Sequence, residues 1–250
     1  GMTHSILICT ILVFAFGFLL NHLYRNGSSY RGWYRLAAWC LFSHIFIDIF
    51  NSYSVALFWP FHKRVMFDSM GIFDVLFILP FIAAFVSFFF LKQKVVVRKK
   101  VAIIAICVST VYLGFTSINK LSVESKVRKE LIARGENIGK VRAAPLPLTN
   151  FMWMVMAEKK DDSGFWQTSV TTLQKSNLSY SFIPKNAEQV AHLEKDKEYE
   201  RIRRFARGFY AITEDSLGNM YFCDLRFPSF DFFGDSAPIN AVVKYELRIN

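Results

Sequence analysis

The chain has 250 residues, 53% of them hydrophobic and 27 of them Phe, with a mean hydropathy of +0.26; this excludes an ordinary water-soluble domain and calls for a membrane part. Its +10 formal charge is uneven, with 11 Lys and Arg against 3 acids in residues 1–120 and 19 against 17 in residues 121–250. A basic excess beside apolar runs fits membrane orientation and anionic headgroups, so no nucleic-acid partner is expected, and the scattered Cys9, Cys40, Cys107 and Cys223 point to neither a disulfide framework nor a thiolate metal site.

The first apolar run, Ser5–Leu20, is uncharged and long enough to span a bilayer, continuing to Tyr24 if the helix runs on through Asn21 and His22. A cleaved signal peptide is the rival reading, but a basic leader and a small-x-small site are both missing. After a short loop at Asn26–Gly32, a second span is expected over Trp33–Phe50, a third over Gly71–Leu91 with Pro80 as a kink, and a fourth over Val101–Ile118. Loops one and three carry Arg25, Arg31, Arg35, Lys92, Lys94, Arg98, Lys99 and Lys100, whereas loop two carries Lys63 and Arg64. The positive-inside rule therefore puts loop two and the C-terminal domain outside the cytoplasm, against the pull of Lys120, Lys126, Arg128 and Lys129.

The three acids of residues 1–120, Asp48, Asp68 and Asp74, all fall within Ser43–Asp74. Carboxylates in apolar spans are costly and normally face a bundle interior or a wet cavity. His44 and Asp48 are four apart, which on a helix places them one turn apart on one face. His4 opens the first span and Asp74 the third, so the four-span topology brings all four residues, and the emerging C-terminal domain, to one membrane face.

Leu121–Arg134 is expected as a helix followed by a linker broken by Gly135, Gly139 and Pro145-Leu-Pro147. From Asn150 the pattern turns to short strands, near Phe151–Ala157, Phe165–Leu173, Gly208–Thr213, Met220–Leu225 and Ala241–Leu247, with a turn at Leu217-Gly218-Asn219 and a charged helical stretch, in two pieces, over Ala187–Ala206. The expected fold is thus a helical membrane domain of about four spans (1–120), a helix and linker (121–149), and a small α+β, mainly antiparallel domain (150–250).

Six motifs in order resemble one family. They are Gly1-Met-Thr-His4-Ser5, Ser43-His44-x-x-x-Asp48, Asn51-Ser52-Tyr53 with Phe58-Trp59-Pro60-Phe61, Arg64-x-x-x-Asp68, Ile72-Phe-Asp74, and Asp224-Leu-Arg226-Phe227. Together they resemble the YdjM-like, LexA-binding, inner-membrane-associated metal-dependent hydrolases, with departures at Ser54, His62 and Val75. Members of that family carry further membrane segments, with another histidine and an acidic pair, ahead of the first motif. This chain opens inside it, so an internal start is expected and some ligands would lie upstream; the rival is a tag remnant before Met2. The resemblance implies a bacterial inner-membrane location and a divalent metal, zinc first, held by His4, His44, Asp48 and Asp74.

With such a metal, Asp68 would carry a proton and Arg64 would steady an anionic part of a lipid-like or phosphoester substrate. The residues alone leave other readings open. His44 with Asp48 also reads as a buried hydrogen bond that fixes helix packing, and Asp74 and Asp68 as acids at a helix N-terminus. Arg64 reads equally as a headgroup anchor, and Asp224 with Arg226 as a salt bridge or docking contact. The alternative function is a non-catalytic, membrane-anchored binding or regulatory protein; a transporter using Asp48 as a proton relay is weaker for lack of a repeat.

Overall fold

The computed structural model describes residues 2–24, 27, 29–61, 64–71, 73–92, 94–146, 148–172, 178–228 and 241–247. Gly1, Arg25, Asn26, His62, Lys63, Ile72, Pro147 and Leu173, which entered the readings above, lie outside the described residues. The chain forms two compact units, Gly1–Asp74 and Val75–Asn250.

In the first unit a 3-10 turn, Met2–His4, leads into α1 (Ile6–Leu23). Ser5 makes the junction: its backbone is extended and its hydroxyl accepts from the Ile8 N–H at 3.2 Å, satisfying one of the orphan donors of the first helical turn. α2 (Tyr30–Asp48) is capped in the same way by Ser29 and packs on α1. A Cβ on Gly17 would sit 2.9 Å from the Tyr34 ring, so the small residue is what allows this close approach. The segment after α2 folds back on itself through bridges between Asn51 and Met70 and between Val55 and Val65, and the Ile6 N–H donates to the Leu57 carbonyl at 3.0 Å. Cys9, Ile45 and Val55 close the unit's small core.

In the second unit α3 (Val75–Phe90) packs on α4 (Val95–Ala133). Pro80 cannot donate to the carbonyl one turn back, and beside that gap the Ser109 hydroxyl of α4 donates to the Phe77 carbonyl at 2.9 Å. Among the described residues, two helices, α1 and α4, are long and apolar enough to cross a membrane. α2 carries Arg31, Arg35 and Asp48, and α3 has 16 residues.

α4 differs from expectation. The fourth span and the helix expected after it are one uninterrupted helix of 39 residues. Lys120 and Asn119 do not end it because both lie on its buried face. The Lys120 ammonium donates to the Ala143 carbonyl at 2.9 Å and pairs with Glu124, and the Asn119 amide donates to the Asn150 carbonyl at 2.9 Å. Gly135, at φ +86°, stops the helix with its N–H on the Ile132 carbonyl and that of Glu136 on Leu131.

Beyond it β1 (Ile138–Pro145), β2 (Met152–Lys159), β3 (Gly164–Thr171) and β4 (Ser181–Pro184) form an antiparallel sheet in that order. The C-terminal half of α4 covers it, burying Val123, Val127 and Leu131 against Trp153, Val155 and Val170. β1 occupies a stretch expected to be linker. A second antiparallel sheet, β5 (Tyr210–Glu214), β6 (Met220–Pro228) and β7 (Ala241–Leu247), has its own core with α5 (Lys197–Ala206) and the 3-10 segment Ala187–Leu193. Met156, Phe165, Ile183, Phe209, Ala211 and Leu225 join the two sheets. The strands read from sequence near 151–157, 165–173, 208–213, 220–225 and 241–247 thus correspond to β2, β3, β5, β6 and β7.

Candidate metal centre

His4 ends the 3-10 turn, and Ser5 starts α1 immediately after it, so the helix cap fixes where the imidazole leaves the chain. His44 and Asp48 stand one turn apart at the C-terminal end of α2. The three side chains converge. His4 Nε2 lies 3.3 Å from Asp48 Oδ2, His44 Nε2 lies 3.5 Å from the same oxygen, and the two Nε2 atoms are 3.4 Å apart. The side chains are 38%, 62% and 22% exposed for His4, His44 and Asp48, so the cluster opens outward from the unit.

These separations make a nearly equilateral triangle of three ligand atoms. A tetrahedral zinc bound at roughly 2.0–2.1 Å keeps its ligand atoms about 3.3–3.4 Å apart, and a mixed imidazole–carboxylate set is one that zinc accepts. The donor set therefore fits a divalent ion in both spacing and chemistry. The outer contacts fit as well. His4 Nδ1 meets the Thr3 hydroxyl at 3.0 Å, and the hydroxyl can accept from an Nδ1–H, the tautomer whose Nε2 lone pair would face the cluster. The Asn51 amide donates to Asp48 Oδ1 at 3.4 Å, which leaves Oδ2 to the imidazoles.

The remaining candidates are not part of this triangle. Asp74 and Asp68 are buried, and neither belongs to the set of mutually close ligand atoms formed by His4, His44 and Asp48. Asp68 adopts a left-handed φ of +60° in the fold-back segment, where the Phe67 and Ser69 amides bond to the Ile49 and Phe50 carbonyls at the end of α2. Arg64 donates from Nη2 to the Ser54 carbonyl at 3.1 Å, a contact that holds the same segment. Asp224 and Arg226 form a buried two-point ion pair on β6, with Arg226 Nη2 to Asp224 Oδ2 at 2.6 Å and Nε to Oδ1 at 3.0 Å.

Residues 1–123 match the family model described as YdjM inner membrane protein. Over this stretch the chain belongs to the YdjM-like family. The match takes in the whole triangle and ends within α4, so the Asp224-Leu-Arg226-Phe227 motif lies beyond it. No curated protein and no solved structure matches the chain. Two residues of the YdjM-like stretch entered the sequence reading only as parts of motifs. Thr3 precedes His4, and Asn51 falls three residues after Asp48, where the helix ends; a polar side chain at either place is the one available signal of a supporting contact.

Proposed function

We propose that this YdjM-like chain is an integral membrane protein of four spans, α1 to α4, whose His4, His44 and Asp48 hold a divalent metal, zinc first. The observation that carries the reading is the triangle of two Nε2 atoms and Oδ2 with sides of 3.3 to 3.5 Å. We further propose that the site serves hydrolysis of a lipid-like or phosphoester substrate. A divalent ion there would supply the positive charge that makes water acidic enough to attack near neutral pH. In this reading the Thr3 hydroxyl keeps His4 in its ligating tautomer and Asn51 keeps Asp48 turned inward. Asp68 takes or gives the proton, Arg64 steadies the substrate's anionic part, and Asp74 supports the site from the start of α3. The β-rich part, from the second half of α4 to the C-terminus, faces away from the cytoplasm.

The second reading is a membrane-anchored binding or regulatory protein. It is favoured by the size of the β-rich part, whose three cores are larger than the one closing the site unit. Here the cluster only fixes the packing of α1 on α2.

The test is elemental analysis of the full chain purified in detergent, beside His44→Ala and Asp48→Ala. Near-stoichiometric zinc that disappears in both variants is expected, followed by phosphoester and lipid-ester turnover that disappears with it. Metal and turnover retained in both variants would sink the hydrolase reading, and partner binding that survives both would favour the anchored one.

A further inference from the structure

The turn between β1 and β2 lies against α4 inside the helix's apolar stretch. Residues 101–119 of α4 contain no charge, and 19 helical residues rise about 28 Å, close to the roughly 30 Å of a hydrocarbon core. The Asn150 amide donates to the Tyr112 hydroxyl at 3.1 Å, while Asn119 donates to the Asn150 carbonyl at 2.9 Å and to Thr172 Oγ1 at 3.0 Å. Tyr112 is seven residues before Asn119, about 10 Å inside the end of the uncharged stretch. The turn is therefore anchored alongside the last two turns of a candidate span and not beyond them.

The composition of the turn matches that position. Residues 143–157 also lack any charge, and Leu148, Phe151 and Met152 are 61%, 44% and 41% exposed. Leu148 sits at φ +66°, a left-handed conformation that costs a branched side chain about 1–2 kcal/mol and that an aqueous turn normally gives to Gly or Asn. Backbone at membrane depth is tolerated when its polar groups are satisfied. Here the Leu146 N–H bonds to the Met152 carbonyl at 2.9 Å, that of Thr149 to Leu146 at 3.3 Å, and that of Thr172 to Phe151 at 2.7 Å, while the Phe151 N–H bonds to the Thr149 hydroxyl at 3.1 Å. On α4 the neighbouring Val111, Phe115 and Ile118 are exposed apolar residues too, so the helix's outward surface continues onto the turn.

We infer that the β1–β2 turn is a lipid-inserted loop: Leu148, Phe151 and Met152 enter the boundary between headgroups and acyl chains and seat the β-rich part on the bilayer surface. This rests on the membrane reading of α4. The occupant is lipid because the apolar surface is continuous with that of the helix, and because a tyrosine hydroxyl among carboxamides is the kind of polar end that sits at a membrane boundary.

The full chain is reconstituted in phosphatidylethanolamine and phosphatidylglycerol vesicles containing a phosphatidylcholine with a diazirine on its acyl chain. After photolysis, adducts are mapped by peptide mass spectrometry. Adducts on residues 148–152 together with 101–118 are expected. Adducts on α4 with none on the turn would overturn the inference and leave the membrane reading standing. The absence of adducts on both would remove the membrane reading and the inference with it.

Discussion

Two clusters of charged side chains, one at the end of α2 and one on β6, solve opposite problems. Around Asp224 both carboxylate oxygens are taken by Arg226, whose backbone N–H also donates to Oδ1, and the pair is fully enclosed. The Arg226 guanidinium stacks over Phe205, its centre 4.4 Å from the ring centroid, and the Arg142 guanidinium of β1 donates to the Arg226 carbonyl. Around Asp48, in contrast, the ion partners among the described residues are two imidazoles, and one of them is more than half exposed. A closed pair has its charge neutralised and serves shape. On the proposed reading, the open set of three converging ligand atoms serves a divalent ion instead.

The largest effect should come from breaking the closed pair. Asp224→Ala leaves Arg226 charged and buried, and should cost about 3–5 kcal/mol of unfolding free energy for the full chain in detergent. A loss below about 1 kcal/mol would show that water reaches the pair. Next come the supports of the open cluster. Thr3→Val and Asn51→Ala should each weaken zinc affinity about 10–100-fold, read by competition with a chromogenic chelator, while leaving the fold intact. Unchanged affinity in both would mean that the ligands need no outer support. Smaller still is the effect of His44→Ala on the metal-free chain. Exposed pairs of this kind contribute about 0–1 kcal/mol, so its melting should hardly move. A large destabilisation would instead favour the packing reading of the cluster.

The two clusters also differed in how far they could be read from sequence. His44 and Asp48 are four apart on a predicted helix, so their shared face is legible, and the span topology together with the family motif brings in His4. The span topology and the family motif group Asp74 with them, and the motif adds Asp68; both are buried, and neither is part of the mutually close set of ligand atoms. The strands β2, β3, β5, β6 and β7 follow runs of aromatic and β-branched residues, whereas the four-residue β4 is too short to show such a run. β1 escapes the sequence reading because Gly139 and Pro145 read as breakers, although Gly139 sits under Glu158 inside the strand. The continuity of α4 was missed for a related reason. Lys120 looks like the end of a span, yet its charge is used inside the domain against Ala143 and Glu124.

A third carboxylate sharpens the comparison with the smallest expected effect. Among the described residues, no arginine or histidine pairs with Asp215, at the β5–β6 turn. Its oxygens accept from the Asn219 amide at 2.9 Å, from the Asn219 and Leu217 backbone N–H groups at 2.9 and 2.8 Å, and from the Tyr221 hydroxyl at 3.2 Å. Asn219 first, with its side chain and then its N–H, holds the carboxyl below its ordinary range, and the bond that the Tyr221 hydroxyl donates to Asp215 raises that hydroxyl above its own. A carboxyl lowered on folding stabilises the native state above its unfolded pKa of about 3.9, and that contribution is lost as pH falls through the lower folded value. Asp215→Asn should therefore reduce melting near neutral pH slightly, and the gap to the parent chain should close as the solution is acidified below about pH 4. A gap that stays constant with pH would assign the effect to turn geometry, and Asp215 would then differ from Asp48 and Asp224 in carrying no electrostatic role.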